Sequence, residues 1–152
     1  MARVLVTGGC GFLGAAFTTL ARSRGHDVVA ADILPEADRN LDASDPEAIA
    51  AAVASVKPEA IVHLAAALTD AGERDPVGTT RLNALGTAAI FTAAEANGVA
   101  RVIYATSISA VGPTVGAVGD DTRLNPGNVY GATQAFAEHL AAAMHTRPGP
   151  YT

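Results

Sequence analysis

Tryptophan is absent from these 152 residues, aromatic side chains make up only 5%, and Cys10 is the single cysteine. One cysteine cannot form an internal disulfide, which fits a reducing compartment and leads us to expect a cytoplasmic protein. Lysine also occurs once, as Lys57; the other nine basic residues are arginine. The net charge of −5, with no basic cluster, argues against nucleic acid as a partner. No apolar run reaches the ~18 residues of a membrane span, and the N-terminus enters a strand rather than a secretion signal. No metal site is expected. What is abundant is small and apolar: 49% of residues are hydrophobic, alanine foremost, which suits helices packed closely on a sheet. The length fits one domain with a substantial core.

The most informative stretch is Val4-Leu-Val-Thr-Gly-Gly-Cys-Gly-Phe-Leu-Gly14. A short apolar run ends in glycines spaced three apart, Gly8, Gly11 and Gly14, and a helical pattern follows at once. Strand, glycine turn and helix together aim unpaired N–H groups and the positive helix end at a pyrophosphate. Gly8 makes the tight turn, Gly11 admits the phosphates to the backbone, and Gly14 lets helix pack on strand. Cys10 within the loop reads as a tolerated small side chain. A second buried strand, 27–32, ends in Asp32, about 20 residues beyond the glycines, where a carboxylate accepts both hydroxyls of an adenosine ribose. A carboxylate there repels a 2′-phosphate, so NAD is expected rather than NADP.

These residues resemble the extended branch of the short-chain dehydrogenase/reductase superfamily, the NAD-dependent sugar epimerases and dehydratases. The likeness runs through Thr7-Gly-Gly-Cys-Gly-Phe-Leu-Gly14, Asp42, His63-Leu-Ala-Ala66, Asn83, Thr106-Ser107 and Tyr130-Gly-Ala-Thr-Gln134, almost the whole chain. It implies an α/β fold, a Rossmann-type doubly wound parallel sheet of about five strands with helices on both faces. By the resemblance, Phe12 and Leu13 belong to the cofactor-binding signature, and Asp42 corresponds to a carboxylate that accepts the adenine amino group. A turn residue ahead of the next helix is an equally good reading of Asp42.

The order of elements agrees. Strands are expected at about 3–7, 27–32, 60–64 and 101–105, with a stub of third strand near 39–41. Helices are expected at about 12–24, 46–56, 79–96 and 130–144. Asp45 followed by Pro46 and Glu47 reads as a helix N-cap. Leu64, Ala65 and Ala66 lie at the carboxyl end of the fourth strand, where small side chains leave room for a cofactor. Ligands of open α/β sheets bind in that crevice, at the point where strand order reverses. His63, within the strand, reads as a packed core histidine. Residues 69–78 are expected to form a polar loop over the crevice. Asn83 matches the family asparagine that hydrogen-bonds near the nicotinamide end; a surface amide is the plainer alternative.

Ser107 and Tyr130 are the expected catalytic pair. Ser107 closes the fifth strand, where its hydroxyl can bind a substrate oxygen. Tyr130 opens a helix from which it can shuttle the substrate's hydroxyl proton, with NAD supplying the redox step. Gln134 departs from the resemblance: the family places lysine there, one turn after the tyrosine and on the same face. Glutamine can hydrogen-bond a ribose but carries no charge to favour a tyrosinate. Lys57 precedes the fourth strand, at the opposite edge of the sheet, and cannot substitute; Arg74 or Arg123 could.

Arg147-Pro-Gly-Pro-Tyr151 resembles a family segment that follows a sixth strand, yet no strand fits before it. We therefore expect an NAD(P)-binding domain at 1–146, a tail at 147–152, and no C-terminal substrate-binding lobe, whether the likeness is accidental, a strand has been lost, or the chain is a fragment. The 112–128 stretch, rich in glycine and proline, is expected to be a mobile active-site loop. The expected function is reversible hydride transfer on a nucleotide sugar or small hydroxy compound. A truncated NAD-binding module without catalysis is the alternative, and a homodimer through helices 79–96 and 130–144 is implied by the resemblance.

Overall fold

Every residue of the first strand, β1 (Arg3–Thr7), is buried except the first, because it has a strand on each side and a helix layer above and below. The computed structural model describes residues 1–145, so the 147–152 tail lies outside the described residues. After β1 come α1 (Phe12–Ser23), β2 (Asp27–Asp32), β3 (Arg39–Asn40), α2 (Pro46–Val56), β4 (Ala60–His63), α3 (Thr69–Arg74) and α4 (Pro76–Thr80). A π-helical turn, Arg81–Gly86, joins α4 to α5 (Thr87–Ala96), and β5 (Arg101–Tyr104) and α6 (Val129–His145) follow. All strand pairs are parallel, in the order β3-β2-β1-β4-β5. The chain thus winds outward from β1 to β3, then crosses back to β4. The reversal lies between β1 and β4, at the foot of the glycine turn.

Alternation along β1 sends side chains to both faces. Leu5 joins Ile49, Val53, Ile61 and Ile90, all fully buried, in the core beneath α2, α5 and α6. Val4 and Val6 join Val28, Val62 and Ala21 under α1. Helices therefore cover both faces, as a parallel sheet requires. At the start of α2, Asp45 accepts from the Glu47 and Ala48 N–H groups at 2.9 and 3.1 Å, with Pro46 beside it. Among the described residues, no helix is long and apolar enough to cross a membrane, and no cluster of His, Cys, Asp and Glu could hold a metal ion.

Two expectations need correction. Residues 69–78 hold α3 and the start of α4 rather than a loop. Gly72 allows this, since a Cβ there would lie 3.2 Å from the Tyr130 nitrogen. The segment 79–96 is not one α-helix but α4, a π-helical turn and α5. Gly86 in that turn packs on the loop after β3, where a Cβ would stand 2.1 Å from the Ala43 carbonyl oxygen.

His63 is a core residue, with 1% exposure. The Thr87 hydroxyl donates its one proton to the Asn83 carbonyl at 2.5 Å. It must therefore accept from His63 Nε2–H at 3.1 Å, which leaves Nδ1 to accept from the Thr7 hydroxyl at 2.5 Å. The neutral ring joins β1, β4 and α5. Burial lowers its pKa from the usual 6.5 to about 4. The folded state thus resists a proton that the unfolded chain accepts. The resulting stability is whole above pH 6.5, falls as pH drops toward 4, and levels off below. At about 1.36 kcal/mol per pH unit the loss is about 3 kcal/mol. Denaturant titrations at stepped pH should show this slope, and His63→Asn should remove it.

Candidate active site

The glycine turn is built of contacts that only hydrogen allows. Gly8 has φ +67°, and a Cβ there would lie 2.6 Å from the Ala65 nitrogen and 2.8 Å from the Leu64 carbonyl carbon. The turn therefore lies directly on the carboxyl end of β4. A Cβ on Gly14 would stand 2.0 Å from the Gly8 carbonyl oxygen, so α1 is pressed against the turn that precedes it. Gly11 is the N-cap of α1 and supplies no side chain to its first N–H groups, and the first turn carries no acid. Those amides face the crevice with no partner inside the helix. Phe12 is 93% exposed and Leu13 60%, so both stand clear of the core at the mouth of the turn.

Asp32 faces this turn. One carboxylate oxygen accepts from the Cys10 N–H at 3.1 Å; the other accepts from Ile33 N–H at 2.8 Å and Leu34 N–H at 3.3 Å. With about four acceptor sites on two oxygens, capacity is left for a hydroxyl. Asp42 follows β3, is exposed, and accepts from Ser44 N–H at 2.8 Å. That bond holds its pKa below the usual carboxylate value. Ala65 is half-buried and Ala66 exposed, and Leu64 donates its N–H to the Thr7 carbonyl at 3.0 Å, extending the β1–β4 seam.

At the far end of the crevice, Asn83 is buried at 1% exposure and is no surface amide. Its Oδ1 accepts from Ala67 N–H at 2.8 Å. Its Nδ2 donates to the Ala67 carbonyl at 2.9 Å and to the Thr133 hydroxyl at 3.1 Å. It acts as a bracket between the segment after β4 and helix α6. Ser107 caps a short 3₁₀ turn, Ile108–Ala110, accepting from Ser109 N–H at 3.2 Å. Tyr130 stands half-buried in the first turn of α6. Gln134, one turn on, is buried at 1% exposure, and its Oε1 accepts from the Tyr104 hydroxyl at 2.6 Å. Its Nε2 is enclosed without a partner. Burial, then the nearby Tyr130, push the Tyr104 pKa up to about 12, so Tyr104 remains a proton donor. Among the described residues no ion pair brings a cation to Tyr130; the pairs are Arg3 with Asp27 and Arg22 with Asp38.

The model of the NAD dependent epimerase/dehydratase family matches residues 4–151. The chain belongs to that family. Among curated relatives, a 3-diazoavenalumate denitrifying reductase from a Streptomyces species is 38% identical, across 73% of this chain and 40% of that protein. A UDP-glucose 4-epimerase from Rhizobium leguminosarum is 30% identical, across 91% of this chain and 46% of that protein. The solved Thermus thermophilus UDP-glucose 4-epimerase, in complex with NAD, superposes with a TM-score of 0.85 at 27% identity. That alignment covers 94% of this chain and 50% of the epimerase. The chain therefore spans about half the length of the curated relatives it matches. The family is NAD-dependent, and the sheet is that of its NAD-binding fold.

Three residues packed against the candidate site escaped the sequence reading. Tyr104 was placed only in a strand, and Thr133 carried no signal beyond its motif. Gly131 did carry one, a glycine directly after the tyrosine where a helix begins. A Cβ there would fall 2.2 Å from the Ser109 carbonyl oxygen, so its bareness lets the Ser107 turn abut the start of α6. Gly131→Ala should force the two apart. We expect a loss of about 1–3 kcal/mol in denaturant unfolding, with the pH slope that His63 gives retained as an unrelated control on the fold.

Proposed function

We propose that the chain is the NAD-binding unit of an oxidoreductase acting by reversible hydride transfer on a nucleotide sugar or small hydroxy compound. One observation carries the reading. The turn at Gly8, Gly11 and Gly14 admits no Cβ at two of its three glycines, and the Asp32 carboxylate faces it. A turn drawn this tightly onto β4 and α1, with bare helix N–H groups at one end and a carboxylate at the other, matches a pyrophosphate joined to an adenosine ribose. Gly8, Gly11, Gly14 and the first amides of α1 would hold the phosphates, and Asp32 the ribose hydroxyls. Asp42 would meet the adenine, and Leu64, Ala65 and Ala66 would floor the crevice. NAD, when bound, supplies the hydride acceptor or donor. Ser107 would hold the substrate oxygen and Tyr130 would take or return its proton.

Gln134 favours a second reading, a module that holds the cofactor without turning substrate over. Its uncharged amide is engaged with Tyr104 and offers Tyr130 no cation. Calorimetry separates these readings from a plain α/β scaffold. NAD should bind the native chain, and Gly14→Ala should weaken binding by about tenfold or more, ~1.4 kcal/mol. A folded chain that takes up no NAD would remove both readings. In a panel of nucleotide sugars and small alcohols followed by NADH absorbance, Gln134→Lys should raise a low native rate. No gain anywhere in the panel would favour the module.

A homodimer through residues 79–96, which include the π-helical turn and α5, and through α6 remains part of this proposal. Leu85, 49% exposed, and Phe136, 44% exposed, support it as apolar groups on that surface. Light scattering after size exclusion should give twice the chain mass, and a monomer at all concentrations would refute it.

A further inference from the structure

A dinucleotide whose adenosine ribose sits at Asp32, beyond β2, must cross β1 to reach β4, β5 and the start of α6. The two ends of that path differ in what they offer. At the β2 end stand bare helix amides and a carboxylate with acceptor sites to spare. At the α6 end the polar groups are occupied by one another. Both ends of the Asn83 amide are bonded within the chain, and Thr133 donates to the Tyr130 carbonyl at 2.7 Å. Thr106 donates to the Glu138 carboxylate. The oxygen of Gln134 is taken by Tyr104, and its nitrogen, though unpartnered, is closed off from the surface. A ligand hydroxyl could reach that nitrogen only by displacing the groups around it. The hydroxyl protons of Ser107 and Tyr130 stay open to a ligand on this side.

We infer that the crevice recognises the adenosine diphosphate part of its ligand and leaves the nicotinamide end unheld, so that ADP-ribose and NAD are equivalent ligands. The inference rests on the cofactor reading above and takes it further. Groups that are engaged before the ligand arrives add no affinity when it does, since each new bond would replace an existing one. An enclosed donor adds none either. The affinity of the site is then set at the glycine turn and Asp32, which meet the same atoms in both ligands.

The native chain alone suffices for the test. Calorimetry with NAD, ADP-ribose and nicotinamide mononucleotide should give dissociation constants for the first two within about fivefold of each other, and no measurable heat for the third. Saturation-transfer NMR on bound NAD should show strong transfer to the adenine protons and weak transfer to those of the nicotinamide ring. NAD binding more than about fivefold tighter than ADP-ribose, or equal transfer to both rings, would overturn the inference while leaving the cofactor reading intact. Failure of both NAD and ADP-ribose to bind would remove the cofactor reading itself, and this inference with it.

Discussion

The structure depends on one close approach: the backbone at Gly8 resting on the backbone of Leu64 and Ala65. A single methyl group at Gly8 would fall 2.6 Å from the Ala65 nitrogen, and one at Gly14 would fall 2.0 Å from the Gly8 oxygen. No rotamer relieves a clash with main chain, so side-chain adjustment cannot replace glycine at these two points. Through them α1 is pinned to β1, and β1 to the tip of β4, at the point where strand order reverses. Gly9 tightens the same turn from the other side, with space for a Cβ denied by Ala30. Four elements, β1, α1, β2 and β4, are located by the absence of carbon atoms.

Beneath that turn the structure is polar where a core would ordinarily be apolar. Thr7, His63, Thr87 and the Asn83 carbonyl form a continuous chain of hydrogen bonds from β1 through β4 to the π-helical turn. Each proton in it has a determined direction, because the chain ends on a carbonyl that can only accept. Buried polar groups satisfied in this way fix relative positions more strictly than methyl groups do, since a shift of a few tenths of an ångström breaks a bond. The π-helical turn is part of the same device. Its extra residue lets Asn83 reach inward to Ala67, while Gly86 settles on Ala43. The Asn83 bracket then carries the position of β4's extension to Thr133 and so to α6.

These features divide clearly into what the sequence displays and what it conceals. The first strand, the glycine turn and α1 were legible because their signals are local: an apolar run, three spaced glycines, then helix formers. So was the start of α2, where Asp45, Pro46 and Glu47 specify a cap without help from elsewhere. The helices at 69–80 were hidden because their polar, glycine-containing sequence is that of a loop; α3 is kept helical by packing against the start of α6. The π-helical turn was hidden for a different reason: nothing in Arg-Leu-Asn-Ala-Leu-Gly departs from an α-helical pattern. Asn83 and Ser107 could be read by family likeness, but their bonding partners could not. Tyr104 was invisible as a site residue because its role arises from a neighbour thirty positions away.

That neighbour explains what the amide at 134 does. The Tyr104 hydroxyl, half-buried and held protonated, requires an acceptor, and Gln134 Oε1 provides one. A lysine ammonium has three donors and no acceptor. With lysine at 134 the bond would have to reverse, the ammonium donating to Tyr104 and the Tyr104 proton seeking an acceptor elsewhere. An ammonium in the same enclosed place would also need an anion or several strong acceptors to remain charged. Glutamine avoids both demands, and the result is a side chain turned toward β5. Orientation follows from hydrogen-bond polarity: an acceptor at 134 binds inward to Tyr104, whereas a cation gains most by facing out of the core toward water. The same helix position can thus serve the interior or the ligand according to whether its terminal group accepts protons or only donates them.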